Sequence, residues 1–201
     1  MRRSIPHMAG LGAMRCEEPV ARMNSKNMNR RTFCLAGVLL ALSAAASYPP
    51  YVQKNLYASM DLRGHRLPAL KVAEWLNGGA PKTKGKTLLI DLWATWCPSC
   101  RALIPELNRW SQRYSSKLVV IGISDEKPST VKSFMAVQPM KYHVASDPEQ
   151  RLEKKLQVQG IPHVLVVTPD GVVRWQGYPG SAEDPLNDAK LSAILSQTSS
   201  R

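Results

Sequence analysis

Two cysteines three residues apart, in Trp93-Ala94-Thr95-Trp96-Cys97-Pro98-Ser99-Cys100, constrain this chain more than any other feature. They stand where an apolar run, Thr87 to Leu92, gives way to a stretch with helical periodicity. The pair therefore falls at the junction of a buried strand and a helix. A dithiol at such a junction opens and closes without moving the backbone. The first cysteine would meet the unpaired N–H groups and the dipole of the helix N-terminus, which stabilise a thiolate and leave it accessible. Pro98 suits the first helical turn, where a missing N–H costs nothing. These residue types in this order point to thiol–disulfide exchange, with Cys97 attacking and Cys100 resolving the mixed disulfide.

The other two cysteines, Cys16 and Cys34, lie in the amino-terminal part, so Cys97 and Cys100 are alone in the body. Two cysteines so close in sequence close only a tiny loop and cannot staple a fold. A CxxC is also half a zinc site, but the body offers no second cysteine pair, and His65, His143 and His163 lack metal-ligand spacing. No metal or cofactor is expected. A Cu(I)-binding or chaperone module using the same two sulfurs is the competing reading. A peroxidase would place its cysteine three residues after a threonine, whereas Thr95 is two before Cys97.

The 201 residues carry a net charge of +12. The densest basic run, Lys82-Thr83-Lys84-Gly85-Lys86, has no interleaved aromatics and reads as a solvated loop, so no nucleic-acid partner is expected. Residues 1–27 lack periodicity and read as an over-extended start or a disordered extension. From Met28 the pattern is a secretory signal: Asn29-Arg30-Arg31, an apolar centre from Phe33 to Leu42, then Ser43-Ala44-Ala45-Ala46 with cleavage near Ala46. The apolar stretch is short of the roughly 20 residues that span a bilayer. Arg30-Arg31-Thr32-Phe33 also matches the start of a twin-arginine signal, with the rest of that pattern incomplete. Export to the periplasm is expected, with membrane tethering if the signal is retained. Residues 47–60, with Pro49-Pro50, read as a linker to a domain over 61–201.

Within that domain a short helix is expected over Lys71–Leu76, with Val72, Trp75 and Leu76 on one side. Thr87–Ala94 reads as a strand. Arg101–Tyr114 reads as a helix with a stripe of Leu103, Leu107, Trp110 and Tyr114, kinked at Pro105. Further strands are expected over Lys117–Ile123, Tyr142–Ala145, His163–Thr168 and Val172–Gln176, the last two joined by a turn at Pro169-Asp170-Gly171. Helices are expected over Pro128–Val137, from Asp147 (N-cap, Pro148 at N1) to about Gln157, and from Asp184-Pro185 to Leu195, with a fraying tail. Alternating strands and helices make an α/β fold, a central sheet with helices on both faces. No dimerisation segment is evident, so a monomer is expected.

Asp91 interrupts an otherwise apolar strand. A buried carboxylate there is costly unless used or paired, and a raised pKa would suit a proton acceptor for Cys100. The other reading is an edge-facing, solvated aspartate. His163 follows Pro162 and reads either as a group titrating near the dithiol or as a strand-face histidine with no role.

Ile90-Asp91-Leu92-Trp93-Ala94-Thr95-Trp96-Cys97-Pro98-Ser99-Cys100, together with Pro105 and Gly160-Ile161-Pro162, closely resembles the thioredoxin superfamily, above all its exported TlpA/ResA-like branch. The likeness runs from about Asp61 to Leu195. It implies a thioredoxin-like fold with a central mixed sheet, Asp91 as the buried acid, and Pro162 as a cis-proline beside the dithiol. Trp96, Ile161 and Pro162 would then meet substrate, the backbone of Ile161 being offered to a substrate chain. It further implies protein thiol or disulfide partners, reduced with electrons from a membrane protein, as in cytochrome c maturation. Two departures stand out: many relatives in this branch carry Asn where Asp91 stands, and the strand Leu118–Ile123 lacks the lysine that pairs with the buried acid in thioredoxin.

Overall fold

A computed structural model describes residues 51–197. The expected extension, the signal segment 28–46, Cys16 and Cys34 lie outside the described residues. Ten elements follow in chain order: β1 (Glu74–Trp75), β2 (Thr87–Trp93), α1 (Pro98–Arg113), β3 (Leu118–Ser124), α2 (Pro128–Val137), β4 (His143–Ser146), α3 (Arg151–Leu156), β5 (His163–Val167), β6 (Val173–Gly177) and α4 (Asp188–Gln197).

The strands form one mixed sheet in the order β1-β4-β3-β2-β5-β6. β2 pairs parallel with β3 and β3 with β4, whereas β5 runs antiparallel to β2 and β6 to β5. Both central strands are apolar because both faces of the sheet are covered. On one face Leu89, Trp93, Val120 and Val164 pack with Ile104, Leu107 and Trp110 of α1, Val131 of α2 and Leu191 of α4. On the other, Ile90, Leu92, Ile121 and Leu165 pack with Leu152 and Leu156 of α3. This is the thioredoxin-like arrangement that the resemblance implies.

Local physics explains where elements depart from expectation. Lys71–Leu76 is not a helix: its end is β1, hydrogen-bonded to β4, with the Leu76 N–H donating to the Val144 carbonyl. Trp75 consequently packs on one core and Leu76 on the other, a period of two that overrides the expected helical face. The buried stripe of α1 is Cys100, Ile104, Leu107 and Trp110, while Leu103 and Tyr114 are half-buried at its margin. The helix runs on through Pro105. Proline offers no N–H to the carbonyl four residues back, and that carbonyl, Arg101, accepts instead from the Gln138 side chain at 3.2 Å.

α3 starts at Arg151, four residues past the expected cap. Gln150 takes a left-handed conformation (φ 57°), and Asp147 reaches across this wider turn to accept the Arg151 N–H at 2.8 Å. α4 likewise begins at Asp188 rather than Asp184 and continues to Gln197. Asn187 caps it by accepting the Lys190 N–H at 3.0 Å. Asp184 is drawn into an ion pair with Lys54 at 2.9 Å.

Residues 51–60, within the stretch that reads as a linker, are packed against the domain through the same pair. The Lys54 ammonium lies 3.7 Å from the centroid of the Trp175 ring, Leu56 is buried, and the Tyr57 carbonyl accepts the Gln159 N–H at 2.7 Å. The segment is a strap laid along the sequence that leads into β5.

Candidate active site

The end of β2 and the start of α1 bring the two cysteines together as a disulfide, with their Cα atoms 5.3 Å apart. Cys97 is the N-cap of α1, and its sulfur accepts the Cys100 N–H at 3.2 Å. One of the four orphan donors of the helix thus points at the first sulfur, where it stabilises negative charge. The Ser99 hydroxyl is 3.3 Å from the same atom. Cys100 is fully buried, and Cys97 is only 3% exposed. The accessibility expected from its position is therefore narrow: a partner sulfur has to be brought down onto it.

The Ile161–Pro162 peptide bond is cis, and the Ile161 carbonyl oxygen stands 3.8 Å from the Cys97 sulfur. Trp96, immediately before the dithiol, is 68% exposed, whereas Trp93 is buried against Phe134. The structure therefore gathers Trp96, Cys97, Cys100, Ile161 and Pro162 at one place.

Asp91 is 1% exposed, in the middle of the sheet, which removes the solvated reading. It shares a strand face with Leu89 and Trp93, the face that packs beneath α1 and Cys100. Its pairing partner on β3 is Gly122, where the missing lysine would have to come from. A Cβ added at Gly122 would lie 3.0 Å from Trp93 Nε1 and 3.1 Å from Tyr142 Cε2, so two rings fill the space. Neither Asp91 oxygen has a hydrogen-bond partner among the described residues. Burial alone pushes the carboxyl up to about 8, so the acid gains and loses a proton near neutrality.

His163 does not join this chemistry. It is buried, with Nε2 3.2 Å from the Gln176 side-chain nitrogen. Burial pushes its pKa down to about 4, so the ring stays neutral at physiological pH. Among the described residues no group of three or more His, Cys, Asp or Glu side chains is placed to hold a metal.

Residues 69–176, more than half of the chain, match the AhpC/TSA family. The chain belongs to it. Relatives include the thiol-disulfide oxidoreductase ResA of Bacillus thuringiensis (strain Al Hakam), 32% identical over 143 residues that cover 68% of this chain and 81% of the relative. The thiol:disulfide interchange protein DsbE of Pseudomonas aeruginosa is 29% identical over 120 residues, covering 59% of this chain and 62% of its own. A crystal structure of a thiol-disulfide isomerase from Corynebacterium glutamicum superposes with a TM-score of 0.57 at 23% identity, over 69% of this chain and 97% of that one, and shares the fold. This AhpC/TSA-family protein is thus a thioredoxin-like thiol-disulfide oxidoreductase.

One residue of the oxidoreductase site has no counterpart in the sequence reading. Glu126, in the turn after β3, accepts the Thr95 N–H and the Thr95 hydroxyl, both at 2.7 Å, and the Ser124 hydroxyl at 3.1 Å. The Ser146 hydroxyl fixes the Glu126 carbonyl at 2.6 Å. The carboxylate thereby pins the turn that carries Trp96 and Cys97. It lies 31 residues from Thr95, and only the polar run Ser124-Asp125-Glu126-Lys127 after an apolar strand hints at it. Glu126→Ala removes three acceptor contacts and is expected to lower stability by about 1–3 kcal/mol in denaturant unfolding. Disulfide turnover should fall with it, because Cys97 loses its fixed approach.

Proposed function

We propose that this oxidoreductase reduces disulfides of partner proteins through Cys97 and Cys100, after export by the segment 28–46 into the periplasm. The observation that carries the reading is the position of the Cys97 sulfur, at the N-terminus of α1 and 3.8 Å from the Ile161 carbonyl. In the reduced protein the Cys97 thiolate attacks one sulfur of the substrate disulfide. A mixed disulfide forms and one substrate thiolate leaves. The Asp91 carboxyl, ionised in a fraction of molecules near neutrality, accepts the Cys100 proton. The Cys100 thiolate then attacks the Cys97 sulfur, the second substrate group leaves as a thiolate that is protonated in turn, and the intramolecular disulfide remains. Two electrons pass to the substrate. A membrane protein that re-reduces the pair completes the cycle.

Trp96, Ile161 and Pro162 receive the substrate. The free backbone edge at Ile161 suits an extended segment pairing as an added strand, which carries the substrate sulfur onto Cys97. The protein acts as a monomer, and within the described residues no helix is long and apolar enough to cross a membrane.

Replacing Cys100 with Ala tests the reading. The variant should accumulate mixed disulfides on Cys97 with partner proteins of its own compartment, because the resolving sulfur is gone while the attacking one remains. An empty trap would count against an exchange role. A reduction potential near those of the strongest oxidants, about −120 mV, would reverse the direction of the reaction.

A further inference from the structure

A cleft of about 310 Å³ beside the dithiol has Trp96, Val158, Gly160, Ile161 and the acidic residues Asp125 and Glu153 among its lining. We infer that this cleft takes the side chain two residues from the substrate's cysteine and selects a cationic one, arginine or lysine. The inference rests on Cys97 being the centre of disulfide exchange, as proposed above.

Position comes first. Ile161 is both a wall of the cleft and the residue whose carbonyl oxygen stands beside the Cys97 sulfur. A chain that delivers its sulfur to Cys97 along that edge advances about 3.3 Å per residue. Side chains alternate faces along an extended chain, so the one that reaches the cleft lies two residues from the cysteine, about 6.6 Å on and on the same face.

The lining then decides the chemistry. The Glu153 side chain has no hydrogen-bond or ion-pair partner among the described residues, although the residue is half-buried. Burial, and then the like charges of Asp125 and Asp147, push its carboxyl up to about 7. Asp125 accepts one hydrogen bond, from the Gln150 amide at 2.8 Å. The basic residues of the same helix do not neutralise them. Arg151, Lys154 and Lys155 line a separate depression with Ala69 and Lys71, and Arg151 is engaged by Asp147 and Glu149. On a chain with a net charge of +12, this leaves uncompensated acid beside the reactive sulfur.

An anionic side chain would add a further like charge, and a purely apolar one would bury the Glu153 carboxyl without a partner. Arginine or lysine fits every surface: its methylene stem lies on Val158 and Ile161, its head meets the two carboxyls, and the exposed indole of Trp96 offers a cation–π face.

Three disulfide peptides, identical except for Arg, Gln or Glu two residues from the cysteine, test this with the reduced protein. The Arg peptide should exceed the Gln peptide about tenfold in kcat/KM, with Glu lowest. In the Asp125→Asn, Glu153→Gln double variant the Arg-to-Gln ratio should fall close to one. Calorimetric affinities of the oxidised protein for the same peptides with serine in place of cysteine report the selection without the chemistry, and should show the same order. Equal affinities for the Arg and Gln peptides, or a preference that survives intact in the double variant, overturn the inference. Absence of turnover on all three with the affinity order intact overturns the exchange reading instead and leaves the cationic subsite standing.

Discussion

Replacing Asp91 with Asn is expected to stabilise the folded protein, and the gain should grow with pH. The acid titrates at about 8 in the folded chain and near 3.9 once unfolded. Between those values the native state holds a proton that the unfolded state has released. Each pH unit of rise across that window therefore costs the native protein about 1.4 kcal/mol, and the loss levels off above the folded value. Asparagine escapes this. It does leave a buried amide without partners, at about 1–3 kcal/mol independent of pH. The variant should accordingly be no more stable than the parent at pH 4 and several kcal/mol more stable at pH 8. Urea unfolding of the oxidised protein at pH 4, 6 and 8 measures the difference, and a gap that does not change with pH would mean that Asp91 is not a strained acid.

The same substitution separates stability from chemistry. If Asp91 accepts the Cys100 proton, Asp91→Asn slows release of the second substrate thiol while leaving the first attack at its parental rate. Rapid-mixing measurement of mixed-disulfide formation and decay distinguishes the two steps. A stabilised protein with both steps unaltered would assign Asp91 to the fold alone.

Cys97→Ser should reduce disulfide turnover to background, a loss of at least about 10³-fold, because a serine hydroxyl is not ionised at neutral pH and does not enter thiol–disulfide exchange. The fold should survive, since the oxygen at the N-cap still accepts the N–H of Cys100 and serine is among the best N-cap residues. Assay of a model disulfide, with unfolding followed in parallel, checks both halves. Residual turnover above background would move the nucleophile to another sulfur.

The strands around the dithiol were legible because their signal is local. The apolar run ending at Trp93, the helical start at Pro98 and the hairpin turn at Pro169-Asp170-Gly171 each follow from a few adjacent residues, and α2 begins and ends where its pattern says. Where two local signals competed, neighbours elsewhere decided. Trp75 and Leu76 have the spacing of a helical face, but the open edge of β4 offered their backbone a ladder, and edge pairing won. Asp184 and Asp147 look like helix starts. Lys54, coming from the strap, and Arg151 claimed their carboxylates, and the helices began further along.

By itself the sequence determined the cysteine pair and the strand and helix that carry it, since a CxxC between an apolar strand and a helix leaves few other geometries; it left Asp91 open between a buried acid and a solvated one. Only the tertiary structure decided how that chemistry is surrounded. It placed Gly122 and two aromatic rings where a lysine would neutralise Asp91, brought Glu126 across to Thr95, docked residues 51–60 as a strap, and opened a carboxyl-lined cleft beside Cys97. The physical reason is range. Strand and helix signals arise within a turn or a pleat, whereas desolvation of a charge and the company a side chain keeps depend on residues tens of positions away that only the folded sheet makes adjacent.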